Sequence, residues 1–353
     1  MLKMLWTAEY DAEWEKKFQE EFQLKRAGFN IHNQLYHWLS EDELVEELRG
    51  QDIFFVGYDP VTPYVLDRCP DLKLILSVRD GPEENIDLKA CAQRGIPVLN
   101  SAGRCTVSVA ELTFNLIMNM ARPVIEVTSQ FRAEKWRKEN YQPMRDIVEG
   151  KSFELYRKTL GIVGAGRNGC RLAEYAHAFG MDVIAYDPYA QQERMNQYGI
   201  RLKTLDEVMA QSDYISILAR VTPDNHNLVG REQIALMKPT ACLVNTGRPQ
   251  LLDQEALLDA LREGRVRMAA LDVHKPEPVP EDSPVYGIPA SRLILTNHMA
   301  GFCQERAWHQ YDIGFDNLTK FLSGQCVQNN CTPGVEGADG YGRRGGSLFG
   351  CRC

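Results

Sequence analysis

The chain has 353 residues, 44% hydrophobic and 25% charged, with a formal net charge of −8. That is ordinary globular composition with room for two cores, and the acidic balance speaks against nucleic acid or an anionic membrane surface as partner. No apolar run reaches the ~20 residues a membrane helix needs, and the segment from Met1 to Tyr10 lacks a signal-peptide core, so a soluble, cytoplasmic protein is expected.

Through the first hundred residues, apolar runs alternate with charged helical stretches. Ile53–Val56, Leu74–Ser77 and Ile96–Leu99 read as buried strands, and Asp11–Lys25 and Glu41–Arg49 as amphipathic helices. The alternation predicts a small parallel α/β domain. The loop from Val78 to Asn85 leaves a strand's carboxyl end, the edge where open α/β sheets bind ligands. Thr106–Val127 reads as one long helix, apolar on too many faces for a free surface. Phe131–Tyr156 mixes charges with Trp136 and Tyr141 and reads as a linker or a subunit-embracing arm.

The next segment, Thr159 to Cys170, is an apolar run that breaks into G-x-G-x-x-G at Gly164, Gly166 and Gly169. A helical stretch follows, then a second apolar run (Asp182–Tyr186) closed by Asp187. Strand, glycine turn, helix, strand and terminal acid in one unit predict a dinucleotide site. Gly164 permits the turn, Gly166 lets the backbone approach a pyrophosphate, and Gly169 lets the helix pack on its strand. The helix N-terminus offers N–H groups to the phosphates. Asp187 accepts from the ribose hydroxyls, and with Pro188 and Tyr189 after it and no arginine to receive a 2′-phosphate, NAD is expected over NADP.

Further on, Tyr214–Leu218, Ala241–Val244, Met268–Leu271 and Leu293–Thr296 read as buried strands, with helices at 205–211, 230–237 and 253–263, the last capped by Asp253. Cys303–Ser323 reads as an amphipathic helix returning to the first domain. From Cys331 to Cys353 there are seven glycines and little apolar periodicity, so this tail is expected to be disordered. The ten cysteines show no C-x-x-C pairing, read as reduced thiols, and no metal is expected.

Three strands end in polar groups at the edge where the glycine turn lies. Asn245-Thr-Gly-Arg248 follows one, Asp272-Val-His-Lys-Pro-Glu277-Pro278 the next, and Asn297-His298-Met-Ala-Gly301 the last. Reducing a 2-keto acid by hydride needs a cation for the carboxylate and carbonyl, an acid for the oxygen, and an orienter for that acid. Arg248 supplies a planar, permanently charged fork. His298 titrates in the right range for the acid, and Glu277 can accept its other ring N–H. Of the remaining histidines (32, 37, 177, 226, 274 and 309), only His274 lies near this edge, as a weaker candidate in mid-loop.

These motifs are similar to those of the D-isomer-specific 2-hydroxyacid dehydrogenase family, from Leu72 to Gly301. Leu72-Lys-Leu-Ile75, Asn85-Ile-Asp-Leu88, Arg94-Gly-Ile-Pro-Val-Leu-Asn100 and Val109-Ala-Glu111 resemble its substrate-domain and linker signatures. Lys158 to Gly169 with Ala185-Tyr-Asp-Pro188 resembles its cofactor site. Met237-Lys-Pro239, Leu243-Val-Asn-Thr-Gly-Arg248, Ala270-Leu-Asp-Val273, Glu277-Pro278 and His298 resemble its catalytic region. The resemblance implies an α/β protein of two Rossmann-like/flavodoxin-like parallel-sheet domains with an interdomain cleft. The substrate domain would comprise residues 1–101 and 300–330, the NAD-binding domain 102–299, and the tail 331–353.

It further implies Arg248, Glu277 and His298 as the catalytic set. Cofactor contacts would come from Gly164, Gly166, Arg167, Asn168, Gly169, Asp187, Arg220, Thr222, Thr246, Asp272, His298 and Gly301. Substrate contacts would come from Val78, Arg79, Asp80, Gly81 and Arg248, the loop's backbone holding the carboxylate. The implied activity is NAD-dependent interconversion of a small 2-keto acid and its D-2-hydroxy acid, in a homodimer joined through the cofactor domain. An NAD-sensing, corepressor-like regulator with the same fold is the alternative. Two features depart from the family pattern: Pro249 stands where glycine usually follows the arginine, and the loop Asp80-Gly-Pro-Glu-Glu84 carries an extra residue.

Overall fold

The computed structural model describes residues 1–9, 11–28, 38–325, 327, 329–332 and 335. His32, His37, Cys326, Cys351 and Cys353 lie outside the described residues. The chain divides into two compact units, Met1–Cys105 with the segment from Cys303 onward, and Thr106–Phe302. In the first unit the order is β1 (Lys3–Trp6), α1 (Ala12–Glu21), β2 (Gln23–Arg26), α2 (Glu41–Leu48), β3 (Ile53–Val56), α3 (Pro63–Arg68), β4 (Leu74–Ser77), α4 (Leu88–Gln93) and β5 (Val98–Asn100). The strands are all parallel in the order β2-β1-β3-β4-β5, the flavodoxin-like arrangement.

The helix expected over Asp11–Lys25 is shorter. Asp11 caps α1, its carboxylate accepting from the N–H groups of Glu13 at 3.0 Å and Trp14 at 2.9 Å, but the helix ends at Glu21 and Gln23–Arg26 pairs with β1. A charged edge strand has no apolar alternation to announce it, and that charge discourages further pairing. β1 is apolar on both faces, with Met4, Leu5 and Trp6 all buried, so it also shows no period of two.

The second unit opens with α5 (Thr106–Ala121), α6 (Val124–Glu134) and α7 (Tyr141–Lys151). Then come β6 (Thr159–Val163), α8 (Arg167–Ala178), β7 (Asp182–Tyr186), α9 (Gln192–Gln197), β8 (Arg201–Leu202), α10 (Leu205–Gln211) and β9 (Tyr214–Ile217). The unit closes with α11 (Arg231–Ala235), β10 (Cys242–Asn245), α12 (Gln254–Arg262), β11 (Met268–Leu271) and β12 (Leu293–Leu295). The helix expected over Thr106–Val127 is two helices, because Pro123 has no N–H to continue the ladder past Ala121. α5 buries Phe114, Leu116, Ile117 and Met120 in one core with Leu172, Ala173 and Val244.

The seven strands are parallel in the order β12-β11-β10-β9-β6-β7-β8. Winding reverses at β6, so the ligand crevice of such a sheet lies at the carboxyl ends of β6 and β9. Asp253 caps α12 as expected, accepting from Ala256 N–H at 3.0 Å. No helix among the described residues is long and apolar enough to cross a membrane.

α13 (Glu305–Leu322) packs on the first unit. Tyr311 and Leu318 are buried with Trp6, Phe18 and Phe55, the Tyr311 and Trp6 rings lying 5.3 Å apart. Beyond it the expected tail needs correcting at its start. Cys331 N–H donates to Val98 O at 2.8 Å, Val98 N–H donates to Thr332 Oγ1 at 2.9 Å, and Thr332 is buried. These residues cover the open edge of β5, Cys331 through its main chain and Thr332 through its hydroxyl. Residues 336–353 lie outside the described residues. Truncation after Asn330 is therefore expected to lower stability by about 1–3 kcal/mol, the cost of a buried N–H without its acceptor. Thermal unfolding of the truncated protein checks this; an unchanged midpoint would show that the edge needs no cover.

Candidate active site

The glycine turn between β6 and α8 is shaped by steric necessity. Gly164 has φ +99°, and a Cβ there would lie 2.3 Å from Ala219 N. A Cβ on Gly169 would lie 2.6 Å from Gly164 O, so the helix sits directly on the turn. At Gly166 a Cβ would meet nothing within 4 Å, and this exposed residue is the N-cap of α8, with no side-chain cap. The helix terminus is thus left open to an anion. Arg167 is exposed and Asn168 half-buried beside it.

Asp187 stands at the end of β7, its Oδ2 accepting from Ala165 N–H and its Oδ1 from Tyr189 N–H, both at 2.9 Å. The carboxylate is thereby fixed against the glycine turn. An open, cap-free helix start beside an oriented acid fits a dinucleotide's pyrophosphate and ribose.

At the same edge, His298 Nδ1 lies 2.8 Å from Glu277 Oε2. A carboxylate only accepts, so Nδ1 carries the proton in this bond and Nε2 is left for other chemistry. The His298 side chain is 45% exposed, which a proton donor to a ligand requires. Burial pushes the Glu277 carboxyl up, but the bonds from His298 and from the His274 N–H outweigh it and hold the group below its ordinary range. Glu277 is therefore ionised at neutral pH. Because the folded value is the lower one, the pair's contribution is complete above the ordinary carboxylate range and is lost as pH falls through the folded value.

The scaffold behind this pair is Asp272, fully buried after β11. Its Oδ1 accepts from Thr296 Oγ1 at 2.6 Å and Met299 N–H at 2.9 Å, and its Oδ2 from Ala300 N–H at 2.9 Å. Its main-chain O takes His298 N–H at 2.7 Å. His298 is held at φ +57°, a left-handed conformation costing a non-glycine residue about 1–2 kcal/mol. Asp272, expected beside a cofactor, also holds through both its oxygens the loop that carries His298.

Among the other expected residues, Arg248 is exposed three residues past β10, its Nη1 donating to Gly247 O at 2.9 Å. Arg220 and Thr222 follow β9, where Asn225 bonds Arg220 O and Thr222 N at 2.8 Å each. Thr246 is buried, its hydroxyl 2.6 Å from that of Thr113 in α5. Gly301 follows the Asp272-bound turn.

In the first unit, Val78 N–H donates to Val56 O and Arg79 N–H to Ser77 Oγ. Arg79 is ion-paired with Glu84. Asp80 accepts from Gly103 N–H at 2.9 Å and from Asn100 Nδ2 at 3.1 Å. Among the described cysteines Cys69, Cys91, Cys170 and Cys242 are buried free thiols, but Cys303 is exposed. Burial pushes the Cys91 thiol up to about 12. Among the described residues, no group of three or more His, Cys, Asp or Glu could hold a metal ion.

Residues 114–300 match the family model described as the NAD-binding domain of D-isomer-specific 2-hydroxyacid dehydrogenases. The chain belongs to the D-isomer-specific 2-hydroxyacid dehydrogenase family. Its cofactor is of the NAD type.

A D-3-phosphoglycerate dehydrogenase of Methanocaldococcus jannaschii is 35% identical over 82% of this dehydrogenase-family chain, which spans 53% of that relative's length. A glyoxylate reductase of Korarchaeum cryptofilum is 34% identical over 82% of this chain and 85% of its own. Among solved structures, D-lactate dehydrogenase from Aquifex aeolicus, complexed with NAD and lactic acid, superposes with TM-score 0.69 at 27% identity, covering 94% of this chain and 99% of that one. These relatives carry dehydrogenase or reductase names, and none supports the regulatory alternative.

Proposed function

We propose that this family member is an NAD-dependent oxidoreductase interconverting a small 2-keto acid and its D-2-hydroxy acid. The observation that carries the reading is the His298–Glu277 pair at 2.8 Å, on the sheet edge where the Gly164–Gly169 turn opens. When bound, the dinucleotide supplies the hydride. His298 Nε2 delivers the proton to the carbonyl oxygen while Glu277 retains the ring on Nδ1. Arg248 draws the substrate carboxylate and carbonyl by its charge and fork geometry. Asp80 and Gly81 are the substrate-loop N–H groups proposed to assist, since those of Val78 and Arg79 already have acceptors.

Oxidation of NADH followed with glyoxylate, hydroxypyruvate and pyruvate tests the reading, and turnover of at least one is expected. A protein inert to the whole panel would contradict it. Asp187 sets a preference for NADH over NADPH, because a 2′-phosphate against its carboxylate meets like charge; Asp187→Ser is expected to narrow the preference. Faster native turnover with NADPH would remove that role.

A homodimer through the cofactor unit is supported by α6, which buries none of its residues. Val124, Ile125, Phe131, Trp136 and Tyr141 of this region are exposed, more apolar surface than a lone helix hairpin ordinarily leaves in water. A monomer by sedimentation at micromolar concentration would count against it. The free thiols, Cys303 among them, support a reducing, cytoplasmic setting, which fractionation of cells checks.

A further inference from the structure

His274 is 6% exposed and lies between the two loops that carry the pair. Its main-chain N–H donates to Glu277 Oε1 at 2.7 Å, so Glu277 is gripped by His298 on one oxygen and by this N–H on the other. Its ring Nε2 lies 2.6 Å from Thr296 O. A carbonyl only accepts, so the ring's proton is on Nε2. Nδ1 is buried with no hydrogen-bond partner among the described residues.

Thr296 is two residues before His298, and its hydroxyl is tied to Asp272. One side chain therefore fastens the segment bearing the acid to the segment bearing its orienter. A buried nitrogen without a partner is unfavourable, and an aromatic hydrocarbon would fill the same space without leaving one. The position is occupied by a residue that packing alone disfavours.

We propose that His274 is a positioning residue for the Glu277–His298 pair, its ring N–H holding the Thr296–His298 segment in register with Glu277. This rests on the reading of His298 as the acid. A phenylalanine keeps the main-chain N–H to Glu277 and the ring's bulk but deletes the ring donor. A glutamine restores an N–H at similar reach.

The experiment compares His274→Phe and His274→Gln with the native protein by kcat, KM, NADH binding and thermal midpoint, together with nitrogen NMR of ¹⁵N-histidine-labelled protein. In His274→Phe, kcat is expected to fall about tenfold or more, since small misplacement of a reacting group has effects of that size. NADH binding and the midpoint stay near native, and His274→Gln recovers most of the rate. In the native spectrum His274 shows a protonated Nε2 and a bare Nδ1, and the Nδ1–H signal of His298 weakens in His274→Phe.

Native kcat in His274→Phe would overturn the proposal, as would a loss shared by NADH binding and not recovered by glutamine. So would a native spectrum with the His274 proton on Nδ1, a result independent of whether any variant folds. The underlying reading fails separately: a fully active His298→Ala protein removes the acid, whereas a dead His298→Ala with a native-like His274→Phe removes only the positioning role.

Discussion

His298→Ala is expected to lower keto-acid turnover by about 10²–10⁴-fold, the range that a placed proton donor contributes, while leaving NADH affinity largely intact. The two halves of that expectation come from different parts of the sheet edge. The dinucleotide is proposed to be held by the Gly164–Gly169 turn and Asp187, which follow β6 and β7, whereas His298 follows β12. The proton comes from a ring whose Nδ1 is committed to Glu277 at 2.8 Å, so removing the ring removes the donor without disturbing the turn. Deleting the side chain also leaves the main-chain N–H of residue 298 on Asp272 O, so the loop keeps its anchor. Stopped turnover with native NADH fluorescence titration is the expected pattern. A variant with native turnover would sink the assignment of the acid.

Gly164→Ala is expected to have the other large effect, on binding and stability together. The added Cβ would lie 2.3 Å from Ala219 N and 2.4 Å from Ala219 Cα, backbone atoms that no side-chain rotation can clear. At φ +99° the residue also sits where L-residues are disfavoured. The ladder joins the two sites rigidly: Val163 pairs with Ile217, and Leu218 N–H donates to Val163 O at 2.8 Å. The turn cannot yield without parting β6 from the segment after β9. Loss of NADH binding with a fall in stability of several kcal/mol is expected, of the order that overpacking and strained backbone produce together. Gly166→Ala, whose Cβ meets nothing within 4 Å, should instead fold normally. Equal thermal midpoints for the two variants would refute the steric account.

Much of this architecture is legible from residue order. Wherever a strand is buried on both faces it appears as an apolar run, as at Leu74–Ser77 and Tyr214–Ile217, and the glycine spacing at 164, 166 and 169 announces the turn. Edge elements were not legible: Gln23–Arg26 is polar because it faces solvent, and Cys331 and Thr332 join β5 through backbone and hydroxyl groups that composition does not reveal. The break at Pro123 was written in the sequence but outweighed by the apolar run around it.

In the site, polar residues ending three parallel strands mark out one edge, which is why Arg248, Glu277 and His298 can be picked out. What spacing could not supply is the supporting work. Asp272 is marked by its place at a strand's end, but the three donors it gathers from Thr296, Met299 and Ala300 are not. His274, in mid-loop, gains its place only because the loop folds back to put its N–H on Glu277. Thr296 is engaged at both its hydroxyl and its carbonyl, and a threonine at a strand's end gives no sign of that.

The pH profile of keto-acid reduction, native against Glu277→Gln, tests the central claim most directly. Glu277 is ionised well below neutral pH, so across the working range it holds a full negative charge 2.8 Å from the ring that donates the proton. Reduction by the native protein should fall as pH drops through the lowered Glu277 value and the carboxylate takes up a proton. An amide cannot take up that proton, so Glu277→Gln should lack this acid limb and run at a lower plateau rate. An acid limb at the same pH in both proteins, with equal plateau rates, would contradict the pairing of Glu277 with His298 as the working acid.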